Sequence, residues 1–284
     1  MSPRPGPLSI AHKEFVEPLL ARGGVMLSEY IFANLYLFRQ VHQYELMLEP
    51  FPYISGITYD GVRHAMPLAP LDRCDLQQLP ARVTCLYPLP QEMLAEVESP
   101  GGYVEWNDAD SDYVYEARKL ADLSGAALQS KRRQAELFES AARPSISTLE
   151  SRHVPEANAL LDLWAEQVAP LNRQTDYTAC REALQHSSRL GLFGLCVTAS
   201  GGRLCAFLLA SRLGTDTSVV HFAKADRRLE GVYPYLFSRF ATGAGSRWLN
   251  FEQDLAKPGL RQAKRALDPV RLVRKYRLSW GAKR

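Results

Sequence analysis

Apolar and polar positions follow one rhythm in the first half of the chain and a more regular one in the second. Lys13–Leu20 and Ser28–Phe38 have helical spacing and are joined by Arg22-Gly23-Gly24. Ser28 is placed to cap the second of these helices. Residues 1–10 ahead of them, beginning with the Pro-rich Met1–Pro7, read as a flexible tail. From Tyr44 to Pro70 the pattern shifts to short strand-like runs, with a hairpin signal at Tyr59-Asp60-Gly61. Leu71–Leu79 and Pro90–Val97 read as helices, and Val83–Leu86 and Tyr103–Trp106 as strands. A short strand at Tyr113–Tyr115 then precedes helices at Glu116–Leu123 and Lys131–Ala141.

Pro144 is the expected domain boundary, giving domains at residues 1–143 and 144–284. After it come a strand (Ser145–Leu149) and two helices (Pro155–Ala169 and Tyr177–Leu190). Three strands follow, Leu192–Ala199, Arg203–Ser211 and Thr217–Lys224, separated by Gly-rich turns. Gly231 opens a helix that runs to about Ala241. With the last elements the order is β-α-α-β-β-β-α-β-α-β, which is the element order of the GNAT acyltransferase fold. A fold alone does not fix an activity.

Arg247–Arg277 carries the densest candidate chemistry. Trp248–Phe251 reads as a strand, and Glu252-Gln253-Asp254 sets two carboxylates and an amide at its end. Pro258-Gly259 opens a short helix. Leu260, Ala263 and Leu267 give it an apolar face, and Arg261, Lys264 and Arg265 a basic one. Asp268-Pro269 ends it. Val270, Leu272, Tyr276 and Leu278 then read as the buried side of one last strand, with Arg274 interrupting the alternation. Acids facing a cationic helix suit an anionic, amine-reacting ligand pair. The alternative is that the acids cap the helix and pair with its own bases.

Composition narrows the class. The chain has 284 residues, 46% apolar and 23% charged, which is ordinary for a globular protein. A net charge of +3 does not by itself argue for nucleic acid. From Arg261 onward, however, nine Lys/Arg face the single acid Asp268, a basic region suited to phosphates, tRNA or anionic lipid head groups. No apolar run approaches the roughly 20 residues of a membrane span, and no signal core precedes residue 11. The five cysteines form no CxxC and read as reduced core thiols of a cytoplasmic protein.

P-loop, zincin, nucleophile-elbow and Rossmann motifs are absent. Asp108, Asp110 and Asp112 imitate a calcium loop, but Tyr113 and Lys119 stand where Gly and Glu are required, so no metal site is expected. His221, in Ser218-Val219-Val220-His221-Phe222, reads either as a packed core histidine or as a proton acceptor beside a cleft. Acyl-CoA enzymes of this fold hold the pyrophosphate on a [Q/R]xxGx[G/A] turn. Here that turn is Arg228-Leu229-Glu230-Gly231-Val232-Tyr233. Arg228 and Gly231 fit, while Tyr233 is bulky where a small residue is needed.

Several long stretches resemble one family. LGLFGLCV, VVHFAKAD followed by EGVY, and NFEQDLAKPGLRQAKRALDPVRLVRKY are similar to the aminoacyl-transferring C-terminal region of bacterial phosphatidylglycerol lysyltransferases and its free-standing relatives. SEYIFANLYLF, and DYVYEARKLADLSG followed by SKRRQ, extend the resemblance over nearly the whole chain. It implies an α/β (α+β) protein of two tandem GNAT-like domains with mixed central sheets. It implies Glu252 and Asp254 at a cleft floor, with Arg261 and Lys264 facing a phosphate or carboxylate and Arg271 supporting them. It places His221 and Lys224 on the neighbouring strand, and Asn34 and Tyr36 in the first domain's signature. The chain departs from the family after LSG, where Ala126–Ser130 replaces a basic cluster with a histidine, and at Ala256, where Gly is usual.

The expectation is a transferase that moves an activated acyl or aminoacyl group to an amine or hydroxyl by direct attack. Glu252 or Asp254, with His221, would handle the proton. A backbone amide between splayed strands would hold the carbonyl oxygen. Arg261, Lys264 and Arg271 would bind the donor's phosphates, and Lys224, Gly231, Asn34 and Tyr36 are further candidates for binding substrate. No tightly bound cofactor is expected. The co-substrate would be aminoacyl-tRNA or acyl-CoA, and the acceptor a small molecule or lipid. The alternatives are a non-catalytic module binding tRNA, nucleotide or anionic lipid head groups, and an acetyl-CoA N-acetyltransferase.

Overall fold

The computed structural model describes residues 3–21, 25–96, 102–168 and 176–280. The expected loop Arg22-Gly23-Gly24 lies outside the described residues, as do Val97 and Ala169 at the ends of two expected helices. The chain divides into two compact units. One comprises residues 1–112, 253–256 and 272–284; the other comprises 113–252 and 257–271.

The first unit is built on a seven-stranded mixed sheet. Its strands are β1 (Gly6–Pro7), β2 (Glu45–Met47), β3 (Tyr53–Ile57), β4 (Arg63–Pro67), β5 (Cys85–Leu89), β6 (Tyr103–Trp106) and β14 (Tyr276–Ser279), in the order β1-β2-β3-β4-β5-β14-β6. Helices α1 (Lys13–Leu20) and α2 (Phe32–His42) precede its main strands. The hairpin signal at Tyr59-Asp60-Gly61 joins antiparallel β3 and β4, with Gly61 at φ +81°. The expected tail ends in a strand, because Gly6 and Pro7 pair with Leu46 and Glu45. The two expected helices at Leu71–Leu79 and Pro90–Val97 are short 3-10 turns. Prolines flank both runs, Pro70 and Pro80 the first and Pro88 and Pro90 the second, and restrict the helical conformation around them. Ser28 is not a helix cap. It begins a 3-10 turn, Ser28–Tyr30, and its N–H donates to Asp112 Oδ2 at 2.7 Å.

The second unit carries the other seven-stranded mixed sheet. Its elements are β7 (Asp112–Glu116), α3 (Ala117–Asp122), α4 (Gln129–Ala142), β8 (Ser145–Thr148), α5 (Val154–Val168), α6 (Tyr177–Leu190), β9 (Phe193–Thr198), β10 (Leu204–Leu213), β11 (Thr217–Ala225), α7 (Val232–Gly243), β12 (Trp248–Asn250), α8 (Pro258–Arg265) and, at the sheet margin, β13 (Arg271–Val273). The strand order is β13-β7-β12-β11-β10-β9-β8. The division between the units falls at Asp112 and does not coincide with the expected boundary before Pro144. The reason is that β7 pairs with β12, and α3 and α4 pack on α7, so residues 113–142 belong with the second sheet. The expectation of an α/β chain with two mixed sheets holds.

The single last strand expected over Val270–Leu278 is two strands in two sheets. Val270 is 44% exposed, and Lys275, which sits between β13 and β14, is fully buried. Its ammonium lies 2.6 Å from Glu29 Oε1, 2.8 Å from Asp112 Oδ1 and 2.8 Å from Gln253 Oε1, all within the first unit. This cluster explains why residues 253–256 and 272–284 return to that unit. Burial pushes the Glu29 carboxyl up to about 7, against the pull of Lys275. For Lys275, burial opposes the charged form, but Asp112 and Glu29 more than offset it and hold the amine above its usual range.

Residues 252–256 bend sharply. Glu252, Leu255 and Ala256 all lie in the left-handed region, at φ +56°, +54° and +55°. That conformation is costly for any residue with a Cβ, by roughly 1–2 kcal/mol. It accounts for the glycine that the resemblance leads one to expect at 256. Ala256→Gly should therefore stabilise the protein. Relief of the strain outweighs glycine's extra entropy in the unfolded chain by up to about 1 kcal/mol. A melting temperature raised by roughly 1–3 °C is expected; an unchanged or lower one would refute this reading of the bend.

Candidate active site

The site forms where β11 and β12 part. These strands pair in parallel at Thr217↔Trp248, Ser218↔Leu249 and Val219↔Asn250, and no pair continues beyond Val219 and Asn250. On its other side β11 pairs with β10, where Ala210 faces Val220 and Leu209 faces Phe222. His221 is the extra residue of a β-bulge. Bulges of this kind re-aim a side chain out of the regular ladder, and here the imidazole reaches two groups. Nε2 is 2.6 Å from Ser211 Oγ on β10, and Nδ1 is 2.7 Å from Glu252 Oε1 at the end of β12.

Glu252 is held by its own backbone. Its N–H donates to Asn250 Oδ1 at 2.7 Å, a local turn that ends β12. Its carbonyl accepts from Tyr113 N–H at 3.1 Å and from Lys264 Nζ at 3.1 Å. Phe251, between them, packs its ring on Tyr115 and Phe237. The three polar side chains differ in exposure. Ser211 is 3% exposed and the His221 side chain 0%, while the Glu252 side chain is 15% exposed. Glu252 is thus the solvent-facing end of the row, and Ser211 the buried end.

Of the residues singled out in the sequence, the structure brings together Glu252, His221 and Lys264. Lys264 is buried and its amine donates to the carbonyls of Phe251, at 2.6 Å, and Glu252, so it braces the strand end. This departs from the expected faces of α8 in part, since Leu267, just past the helix, is buried and Arg265 exposed as expected. Lys264 points inward, whereas Leu260 is 37% exposed and Ala263 is exposed. The physical cause is that two carbonyls converge at the strand end and can share one ammonium donor. Arg261 is half-buried on α8, and Arg271 is exposed with its guanidinium 5.0 Å from the Trp248 ring centre. Lys224 is buried, paired with Asp176 at 2.6 Å and 3.6 Å from the Trp164 ring centre. Asp254 is fully buried in the first unit, and its carboxylate accepts from Ala256 N–H at 2.9 Å. Asn34 and Tyr36 are buried on α2 in that unit, with Arg39 stacked 3.8 Å from the Tyr36 ring centre.

The turn that would hold a pyrophosphate is occupied by the protein's own groups. Arg228 donates from Nε and Nη2 to Asp226, at 2.9 and 2.8 Å, and this holds the Asp226 carboxyl well below its usual range. The N–H groups of Arg227, Arg228 and Leu229 donate to Gln167 Oε1, Asp226 Oδ1 and Asp226 O. A Cβ on Gly231, at φ +81°, would lie 2.1 Å from Gln134 O on α4, so this glycine permits a close approach of two helices. Tyr233 is half-buried, and burial pushes its phenol up to about 12.

Two residues escaped the sequence reading, Ser211 and Lys275. Ser211 stands in the apolar run LCAFLLASRL, on the strand next to His221, and that pairing was its only signal. All five cysteines are free. Among the described residues no cluster of His, Cys, Asp or Glu could hold a metal ion, and no helix is long and apolar enough to cross a membrane.

The family model for the phosphatidylglycerol lysyltransferase C-terminal region matches residues 25–279. Among solved structures, a conserved protein of unknown function from Bacteroides thetaiotaomicron superposes with a TM-score of 0.85 at 21% identity, over 99% of this chain and 100% of that one. The C-terminal domain of a putative lysylphosphatidylglycerol synthetase from Agrobacterium fabrum gives 0.65 at 14%, over 96% and 93%. L-PGS from Bacillus licheniformis gives 0.65 at 12%, over 98% and 94%. No curated protein gave a significant match.

Proposed function

The chain belongs to the phosphatidylglycerol lysyltransferase C-terminal family, and from that premise we propose that it is an acyl-group transferase of the aminoacyl type. It moves an aminoacyl group from an activated ester to an amine or hydroxyl acceptor by direct attack. The observation that carries the reading is the Glu252–His221 contact of 2.7 Å at the parting of β11 and β12. Glu252 takes the proton from the attacking nitrogen or oxygen as the new bond to the carbonyl carbon forms. The bond to the donor's oxygen breaks, and the proton returns to that oxygen as it leaves. A backbone amide at the parted strands faces the carbonyl oxygen, where negative charge develops.

An aminoacyl ester is favoured over acyl-CoA because the Arg227–Tyr233 turn already has internal partners for its guanidinium and three of its N–H groups. A pyrophosphate would have to displace them. Two structural relatives, the C-terminal domain of a putative lysylphosphatidylglycerol synthetase and L-PGS, agree with an aminoacyl donor. Calorimetric titration with coenzyme A and acetyl-CoA should show no binding at micromolar concentration, whereas incubation with charged tRNA should release the amino acid to an acceptor amine or alcohol. Micromolar coenzyme A binding would return the donor to the thioester class. Binding of tRNA with no turnover of its amino acid, unchanged in Glu252→Gln, would favour a non-catalytic binding module.

A further inference from the structure

We infer that Lys264 is a positioning residue: its ammonium holds β12 in a bulged register, and that register aims the Glu252 carboxylate at His221. The inference rests on the transferase reading above. β7 and β12 pair regularly through Trp248↔Glu116, Leu249↔Tyr115 and Asn250↔Val114. The next pair in line is Phe251 and Tyr113. A regular hydrogen-bonded pair exchanges both N–H···O bonds, and here only one of them forms: the Phe251 N–H donates to the Tyr113 carbonyl at 2.9 Å. The Tyr113 N–H skips one residue and donates to the Glu252 carbonyl at 3.1 Å. Phe251 and Glu252 thus stand opposite the single residue Tyr113, a second bulge on the strand next to the bulge at His221.

The shifted bond has two consequences. The Phe251 carbonyl loses its ladder donor, and Glu252 enters the left-handed region at φ +56°. Lys264 answers the first: Nζ is 2.6 Å from the Phe251 carbonyl oxygen and 3.1 Å from that of Glu252. Successive carbonyls of a straight strand point to opposite edges. One ammonium can take both only when the chain turns between them, as it does at Glu252. The helix that carries the lysine is tied to the same strand, because the Tyr115 hydroxyl donates to the Lys264 carbonyl at 2.8 Å. Without the ammonium, the Tyr113 N–H can return to the Phe251 carbonyl. Glu252 then relaxes to an extended φ of about −140°, and its carboxylate leaves the imidazole that it meets at 2.7 Å. Lys264 therefore acts through Glu252 and not on the donor's phosphates.

The test uses the full chain. Scalar couplings across hydrogen bonds report the register without substrate. In the parent the Tyr113 amide nitrogen should couple to the Glu252 carbonyl carbon, and in Lys264→Met to that of Phe251. A folded Lys264→Met variant that keeps the parent coupling overturns the inference. The parent alone also decides, should that variant fail to fold. Lys264 Nζ should couple to the Phe251 carbonyl carbon and keep that coupling in saturating uncharged tRNA; its loss on adding tRNA would make Lys264 a phosphate ligand and overturn the inference. In the transfer assay Lys264→Met should lower kcat by about 10²-fold or more, at unchanged KM for charged tRNA. Lys264→Met/Glu252→Gln should be no slower than Glu252→Gln alone, since both changes remove the same aimed carboxylate. Losses that add, or a raised KM with full kcat, also overturn it. If no donor supports transfer, the transferase reading fails while the couplings still decide the register.

Discussion

The Lys275→Met variant is expected to lose about 3–5 kcal/mol of stability, the cost of breaking a buried ion pair from one side. The parent ammonium has three close acceptors, Glu29, Asp112 and Gln253, and the Lys275 and Asp112 side chains are both 0% exposed. Methionine fills much the same volume, so little of the loss comes from a cavity. The loss comes from carboxylates left in the core without a cation. Its pH dependence has a definite sign. Glu29 is raised from 4.5 to about 7, so the native state binds its proton more tightly than the unfolded chain does. The associated stability is fully present below about pH 4.5 and is lost as pH rises through about 7. Removing Lys275 deletes the main force holding Glu29 down, so the variant's deficit should be larger at pH 8 than at pH 5. Equilibrium urea unfolding at the two pH values measures this. Adding Glu29→Gln should recover part of the deficit at pH 8. A midpoint within error of the parent's at both pH values would mean that the cluster does not hold the first unit together.

The second large effect concerns activity. Glu252→Gln should lower the transfer rate by about 10²–10⁴-fold, the usual contribution of a positioned base, with the fold intact. The structure separates the two outcomes because the fold uses Glu252 through its backbone. The N–H is bound by Asn250, and the carbonyl by Tyr113 and Lys264. An amide side chain leaves those backbone contacts unchanged, removes the proton acceptor and still offers a hydrogen-bonding group to His221. A single-turnover assay with charged tRNA, read alongside a thermal melt, would make the case. Full rate in a folded variant would remove Glu252 from the chemistry.

What was legible in the sequence follows from which interactions are local. The helices and strands of residues 144–250 were readable because their turns carry glycine and their faces have clean periods. Glu252 and His221 could be named because each is a polar residue at an otherwise apolar strand. Ser211 could not, since only the pairing of β10 with β11 makes it their neighbour. Spacing puts Lys264 on a basic helix face and the resemblance turns that face to a phosphate or carboxylate, but spacing shows which residues share a helix side, and not which side turns inward. The final strand failed for a similar reason. Alternation across Val270–Leu278 is continuous in pattern, yet Lys275 is drawn into the core by Glu29 and Asp112, partners far away in sequence. The boundary before Pro144 followed a compositional break, while the division at Asp112 follows strand pairing.

The place of β14 bears on how the chain can be made. In the first sheet it lies between β5 and β6, antiparallel to both. A nascent chain leaving the ribosome presents residues 1–112 first, yet that portion has a gap in the middle of its sheet. Until Tyr276–Ser279 emerges, β5 and β6 each have an unfilled edge of the kind that invites pairing with another chain. The second unit has almost all its strands by Asn250 and can form earlier. Assembly therefore runs against the usual N-to-C order of synthesis, and the first unit in sequence is the last that can close.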